Sequence, residues 1–192
     1  MELEITKYGE PILRRKGEKI TEINQEIKLF IQDMLDTLVK AEGVGLAAQQ
    51  VGKAYQLCVI DVRLSDRPSW IKIDGKEMDV SIHMPMVLIN PVLTLGTELE
   101  KGPEGCLSFP DIFANIKRSS QITVSALNEK GEEFHFECGG LLARAIQHEY
   151  DHLQGILFID RMGYLDREEN DQNLIYLRNK TKERLKRQRK RQ

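Results

Sequence analysis

Apolar positions along the chain fall into two periodicities. Ile27, Phe30, Ile31, Met34, Leu35, Leu38 and Val39 recur at three- and four-residue steps, which puts them on one face of a helix. Asn24 offers a cap before it and Gly43 a stop after it. Elsewhere the spacing shortens. Gln56 to Val62, Met86 to Asn90 and Gln121 to Leu127 are short runs rich in Val, Ile and Leu, and Glu132 to Glu137 alternates around Phe134 and Phe136; these predict strands. The last two flank Asn128-Glu129-Lys130-Gly131, whose composition suits a hairpin turn with glycine at positive φ. Gly139-Gly140 opens a second helix and Gly155 closes it. Strands followed by a helix packed on them predict an α+β fold, with antiparallel sheets around that helix. The connection from Ser65 to Pro85 is long for a plain loop and reads as irregular chain or a small extra hairpin.

Composition narrows the class. The chain has 192 residues, 41% hydrophobic and 30% charged, enough for one domain with a real core. It lacks a run of about 18 apolar residues, so no membrane partner is expected. The start, Met1-Glu2-Leu3-Glu4, has neither the basic opening nor the apolar stretch of a secretory signal, and the expected location is the cytoplasm. Cys58, Cys106 and Cys138 are too few and too odd in number for a disulfide framework. Cys58, in an apolar strand, and Cys138, before a Gly-Gly turn, read as small buried side chains.

Charge is distributed unevenly. Residues 178–192 carry nine Lys or Arg and one acid, a net +8, which leaves −10 for the rest because the whole chain is −2. The chain therefore reads as one catalytic domain over residues 1–166 and a basic extension over 167–192, helical and then frayed. Lys182, Arg184, Lys186, Arg187, Arg189, Lys190 and Arg191 either form a solvated end or belong to a helix over 170–187 that binds RNA phosphate.

The chemistry centres on His148-Glu149-Tyr150-Asp151-His152. Two histidines four residues apart share one helix face and can hold a metal together, with Glu149 beside any water on it. A catalytic ion usually takes a third protein ligand. A third histidine in the extended pattern is excluded, since that position is Phe158. A carboxylate farther on, from Glu168, Glu169 or Asp171, is one source. Cys106 is another, in the Gly/Pro-rich segment Gly102-Pro103-Glu104-Gly105-Cys106-Leu107-Ser108-Phe109-Pro110; thiolate binds zinc and iron strongly.

Three segments in order then resemble one family: Gly43-Val44-Gly45-Leu46-Ala47-Ala48-Gln49-Gln50, Glu104-Gly105-Cys106-Leu107-Ser108 and Gln147-His148-Glu149-Tyr150-Asp151-His152-Leu153. They are similar to the motifs of the peptide deformylases. The resemblance extends to Gly9-Glu10-Pro11-Ile12-Leu13-Arg14 and to Leu157-Phe158-Ile159-Asp160-Arg161, covering most of residues 5–162. One departure is Gln49, where the family usually has proline.

The resemblance implies hydrolysis of the N-formyl group from the initiator methionine of new polypeptides, with release of formate. Cys106, His148 and His152 would hold one divalent metal, and Glu149 would move the proton. The Gln50 side-chain amide and the Leu107 backbone N–H would stabilise the formyl oxygen. Gly45 would let substrate backbone approach. Val44, Leu141 and Ala145 would form the methionine pocket, although each also reads as core, and Arg144 would close that pocket or meet the substrate backbone. Arg118 would pair with Asp151 to orient the site. The resemblance favours Fe²⁺, while Zn²⁺, Co²⁺ or Ni²⁺ also suit the ligands. Expected partners are formyl-methionyl nascent chains and, through the basic extension, ribosomal RNA. Two other readings remain: a metallopeptidase using Glu168 or Glu169 in place of Cys106, and an RNA- or ribosome-binding protein with a structural metal.

Overall fold

The computed structural model describes residues 1–190. In chain order its main elements are α1 (Gln25–Lys40), β1 (Gly45–Ala47), β2 (Leu57–Ile60), β3 (Ser69–Ile73), β4 (Lys76–Met78), β5 (Met86–Leu95), β6 (Leu99–Cys106), β7 (Phe109–Ser119), β8 (Gln121–Leu127), β9 (Glu133–Gly139), α2 (Gly140–Leu153) and α3 (Tyr164–Arg189). Seven strands make one antiparallel sheet in the order β1-β2-β5-β8-β9-β3-β4, and β6 and β7 form a separate ribbon. The architecture is α+β, with α2 at its centre.

The continuous apolar run of β2 follows from cover on both faces. Successive side chains of a strand point to opposite sides. Leu57 and Val59 enter the core under α1, whereas Cys58 and Ile60 enter the core under α2. All four are buried. Asn24 caps α1 as expected, its side chain accepting from the Ile27 N–H. Gly43 is not the helix stop: α1 ends at Lys40, and Glu42 takes the positive φ, 51°. Gly43 is small for another reason. A Cβ there would lie 2.9 Å from Leu107 Cδ1 and 3.0 Å from Leu38 Cδ1, so its lack of a side chain brings the Cys106 segment against α1. Val39 is exposed, which narrows the buried stripe of the helix.

The segment from Ser65 to Pro85 is the small hairpin. β3 and β4 turn at Asp74 and Gly75, both at positive φ, the geometry of a two-residue hairpin. β3 then pairs with β9 and lengthens the sheet. Trp70 is fitted over Gly139, where a Cβ would come within 2.2 Å of its Nε1.

The ribbon was not legible as strands. Gly102, Pro103 and Gly105 are poor strand formers, yet they pair in register with Ile116, Asn115 and Phe113. Along β7, Ile112, Ala114, Ile116 and Arg118 are buried at a period of two, with Phe109 and Ser119 buried at its ends, and Arg118 is the charged member. That charged end leads to the site.

α3 begins at Tyr164, earlier than the helix expected over 170–187. It is seated on the ribbon through Leu174, in one core with Ile112, Ala114 and Phe158. Asp166 accepts from the Asn115 N–H at 3.0 Å, and Asn170 donates to the Phe113 carbonyl at 3.1 Å. Arg184 is paired with Glu4 and Glu10, which ties the basic extension to the N-terminal segment at that point. Arg191 lies outside the described residues. No described helix is long and apolar enough to cross a membrane.

Candidate active site

The segment His148 to His152 lies in α2, of whose 14 residues 12 are buried. One turn of helix brings both imidazoles to the same face. The ribbon delivers Cys106 from the opposite side at the end of β6. Among the described residues, Cys106, His148 and His152 are the one group whose ligand atoms converge, all within 4.8 Å of one another. Cys106 Sγ stands 3.3 Å from His152 Nε2. His148 presents Nε2 to the same point, because its Nδ1 is hydrogen-bonded to Glu104 Oε2 at 3.0 Å.

This donor set fits a divalent metal. Two neutral imidazoles and one thiolate make a common zinc or iron site, and a ring nitrogen held by a carboxylate is the usual support for a metal-binding histidine. The alternative ligands are elsewhere: Glu168, Glu169 and Asp171 are on α3 and outside the convergent group. Phe158, at the position of a third histidine, is buried against Phe109, with its ring 5.9 Å from that of His148.

Glu149 faces the same cavity, of about 560 Å³. Its Oε2 is buried and has no hydrogen-bond partner among the described residues. Burial pushes its carboxyl up to about 7, against the opposing pull of nearby cationic groups. A carboxyl in that range can take a proton and return it. Gly45 on β1 is pressed against this group: an added Cβ would lie 2.5 Å from Glu149 Oε1. The lack of a side chain at Gly45 therefore makes room for the Glu149 carboxylate, a reason that spacing in sequence does not reveal.

Gln50 is oriented by the backbone. Its Oε1 accepts from the Ala47 N–H at 2.8 Å, which turns Nε2 toward Cys106 Sγ and Ser108 Oγ, each at 3.4 Å. Leu107 lines the cavity beside it, its carbonyl held by Lys7 Nζ at 2.8 Å. Val44, Leu141 and Ala145 form the apolar wall.

Arg144 was expected either to close the pocket with its stem or to meet the substrate backbone. Its stem borders the cavity, but the guanidinium is buried and committed: it donates to Glu104 Oε1 and the Ile116 carbonyl at 2.9 Å and to the Glu100 carbonyl at 3.0 Å. These bonds hold the ribbon to α2. Arg118 does pair with Asp151, and Asp151 also receives Arg161.

Both arginines converge on Glu104, whose part was not foreseen. Arg118 binds it bidentately at 2.9 Å to each oxygen, and Arg144 and His148 add one bond each. Burial opposes ionisation of this carboxyl, but the Arg118 and His148 hydrogen bonds outweigh it and hold the group well below the usual carboxylate range. The one trace of it in sequence was an acid two residues before Cys106, and only the folded ribbon turns it toward His148 and the two arginines.

A sequence model of the polypeptide deformylase family matches residues 2–168. The chain is 46% identical over 164 residues to the peptide deformylase of Opitutus terrae, covering 84% of this chain and 85% of that one. It is 48% identical over 160 residues to that of Methylacidiphilum infernorum, covering 83% and 84%. Among solved structures, the peptide deformylase of Synechococcus elongatus in complex with actinonin superposes with a TM-score of 0.76 at 36% identity, covering 89% of this chain and 85% of that one. The Thermotoga maritima peptide deformylase gives 0.71 at 36%, covering 85% and 99%. With sequence and fold in agreement over nearly the whole catalytic region, the chain belongs to the polypeptide deformylase family.

Proposed function

We propose that Cys106, His148 and His152 hold the divalent metal of this deformylase and that Glu149 carries the proton in its reaction. The protein hydrolyses the N-formyl group from formyl-methionyl polypeptides and releases formate. The observation that carries the site reading is the convergence of the three ligand atoms beside a buried Glu149 carboxylate oxygen that has no partner among the described residues. A bound divalent cation supplies Lewis acidity that makes water a nucleophile near neutral pH. Glu149 takes the proton from the attacking water and returns it to the leaving amine. Gln50 Nε2 and the Leu107 N–H donate to the formyl oxygen as negative charge develops on it. Val44, Leu141 and Ala145 enclose the methionine side chain, excluding water from the reacting amide.

Formate release from formyl-Met-Ala-Ser by metal-replete protein is the direct test. Absence of formate, with cleavage of an unformylated peptide instead, would overturn the reading in favour of a peptidase. Gly45→Ala probes the packing of the catalytic acid. The added methyl must displace Glu149, and a misplacement of about 1 Å costs on the order of 100-fold in rate. We expect kcat to fall by about that factor with metal content unchanged, as measured by formate release and metal analysis; an unchanged kcat would show that the carboxylate tolerates the shift.

Fe²⁺ is the proposed native ion. A ferrous ion on a thiolate is open to oxidation, so activity of the Fe²⁺ form is expected to decay in air while Co²⁺ or Ni²⁺ forms persist. Equal lifetimes would remove the basis for iron. Cytoplasmic action on nascent chains accords with this substrate, and the outward basic residues Arg178, Lys182 and Lys186 of α3, all exposed, suit docking on ribosomal RNA phosphate. Truncation after Asn179 is expected to weaken ribosome binding at low salt; undiminished affinity would reject docking through this helix.

A further inference from the structure

A second groove, of about 620 Å³, adjoins the catalytic cavity and shares Lys7 and Pro110 with it. Its far wall is α3. At about 100° per residue, the basic residues of that helix divide around the buried Thr181. Lys180, Arg184 and Arg187 fall on the groove side, and Arg178, Lys182 and Lys186 on the other. With Lys7, the groove is lined by four cations and one acid, Glu183.

These cations have different duties. Arg184 is committed to Glu4 and Glu10 and anchors the helix. Lys7 holds the Leu107 carbonyl at the junction of the two cavities. Lys180 has no carboxylate within ion-pair distance among the described residues and lies 5.9 Å over the Tyr176 ring. Among the described residues, the one carboxylate near Arg187 is Glu183 at 4.0 Å, with both side chains exposed, a contact too weak to hold it. Lys180 and Arg187 are thus available to a ligand, on an element fixed by its buried face.

We propose that this groove is a continuation of the substrate site, in which acidic side chains well downstream of formyl-methionine are bound by Lys180 and Arg187. The inference rests on the deformylase reading, since it is a polypeptide substrate that must run out of the catalytic cavity. An extended chain advances about 3.3 Å per residue, and the shared wall at Lys7 and Pro110 gives it a path. The family match ends at residue 168, so the helix turns that build this groove lie beyond the matched region.

The test uses full-length, metal-loaded protein and three peptides, formyl-Met-Ala-Ser followed by Glu-Glu-Glu, Gln-Gln-Gln or Lys-Lys-Lys. At an ionic strength of about 0.01 M, where screening is weak, kcat/KM is expected to favour the Glu peptide over the Lys peptide about tenfold, chiefly through KM. At about 1 M the preference should vanish. The double variant Lys180→Glu/Arg187→Glu should reverse the order, while Lys180→Arg/Arg187→Lys should keep it. Equal values for the three peptides, or an acidic preference surviving in the double variant, would overturn the proposal. So would an RNA oligonucleotide whose binding is lost in the double variant while peptide preference is unmoved, because that assigns the groove to nucleic acid. Formyl-Met-Ala, too short for the groove, separates the failures. No formate from it with the parent protein sinks the deformylase reading itself, whereas formate without charge preference in the longer peptides sinks the groove alone.

Discussion

Replacing Glu149 by alanine is expected to abolish nearly all formate release while leaving metal bound. The carboxylate is within reach of the ligand cluster but is not one of its three converging atoms, so metal stoichiometry should match the parent. What is lost is a positioned proton carrier, an effect of about 10²–10⁴-fold on rate. Because Glu149 sits in a cavity whose other polar groups remain in place, substrate should still bind, and the loss should appear in kcat rather than KM. Metal analysis and single-turnover formate release on the same sample check both halves. A variant that loses its metal would make Glu149 structural, and one that retains more than a tenth of the parent rate would remove it from the mechanism.

Glu104→Ala is expected to be the most damaging change outside the metal ligands. Glu104 gathers Arg118, Arg144 and His148, and Arg118 and Arg144 are 4% exposed. Removing the acid strands two buried guanidinium groups with, among the described residues, only Asp151 left as an anionic partner, through Arg118. Breaking a buried ion pair by deleting one side costs about 3–5 kcal/mol. At about 2–4 °C per kcal/mol for a chain of this size, the thermal midpoint should drop by roughly 6–20 °C. The same substitution frees His148 Nδ1, and loss of such a support weakens metal binding by about 10–100-fold. Calorimetry and chelator competition measure these separately. A shift of under 2 °C would mean that water and the Arg144 carbonyl contacts already satisfy the network. Arg118→Ala should fall short of this, because Arg144 continues to neutralise Glu104 and Arg161 continues to meet Asp151.

What the sequence determined by itself is whatever depends on neighbours a few residues apart. α1 was set by a helical apolar stripe and its Asn24 cap, the β8–β9 hairpin by alternation around a glycine turn, and the shared face of His148 and His152 by the pitch of a helix. The order of the three motifs was likewise a property of the chain alone, and so was the resemblance that named the third ligand. Tertiary structure decided what depends on partners far away in sequence. The β6–β7 ribbon forms although Gly102, Pro103 and Gly105 disfavour strands, because its pairing and its hold on Arg144 outweigh local preference. Arg144 could be read from its helix position only as closing the pocket or meeting the substrate, and only the fold shows its guanidinium turned to Glu104, 40 residues away. Gly45 was read for the approach of substrate, and the fold adds a second constraint, the Glu149 carboxylate against it. Glu104 carries no signal stronger than an acid near a cysteine until two arginines and a histidine arrive from β7 and α2. Local spacing fixes direction along one element, whereas the meeting of charges from four segments in a low-dielectric interior is set by packing.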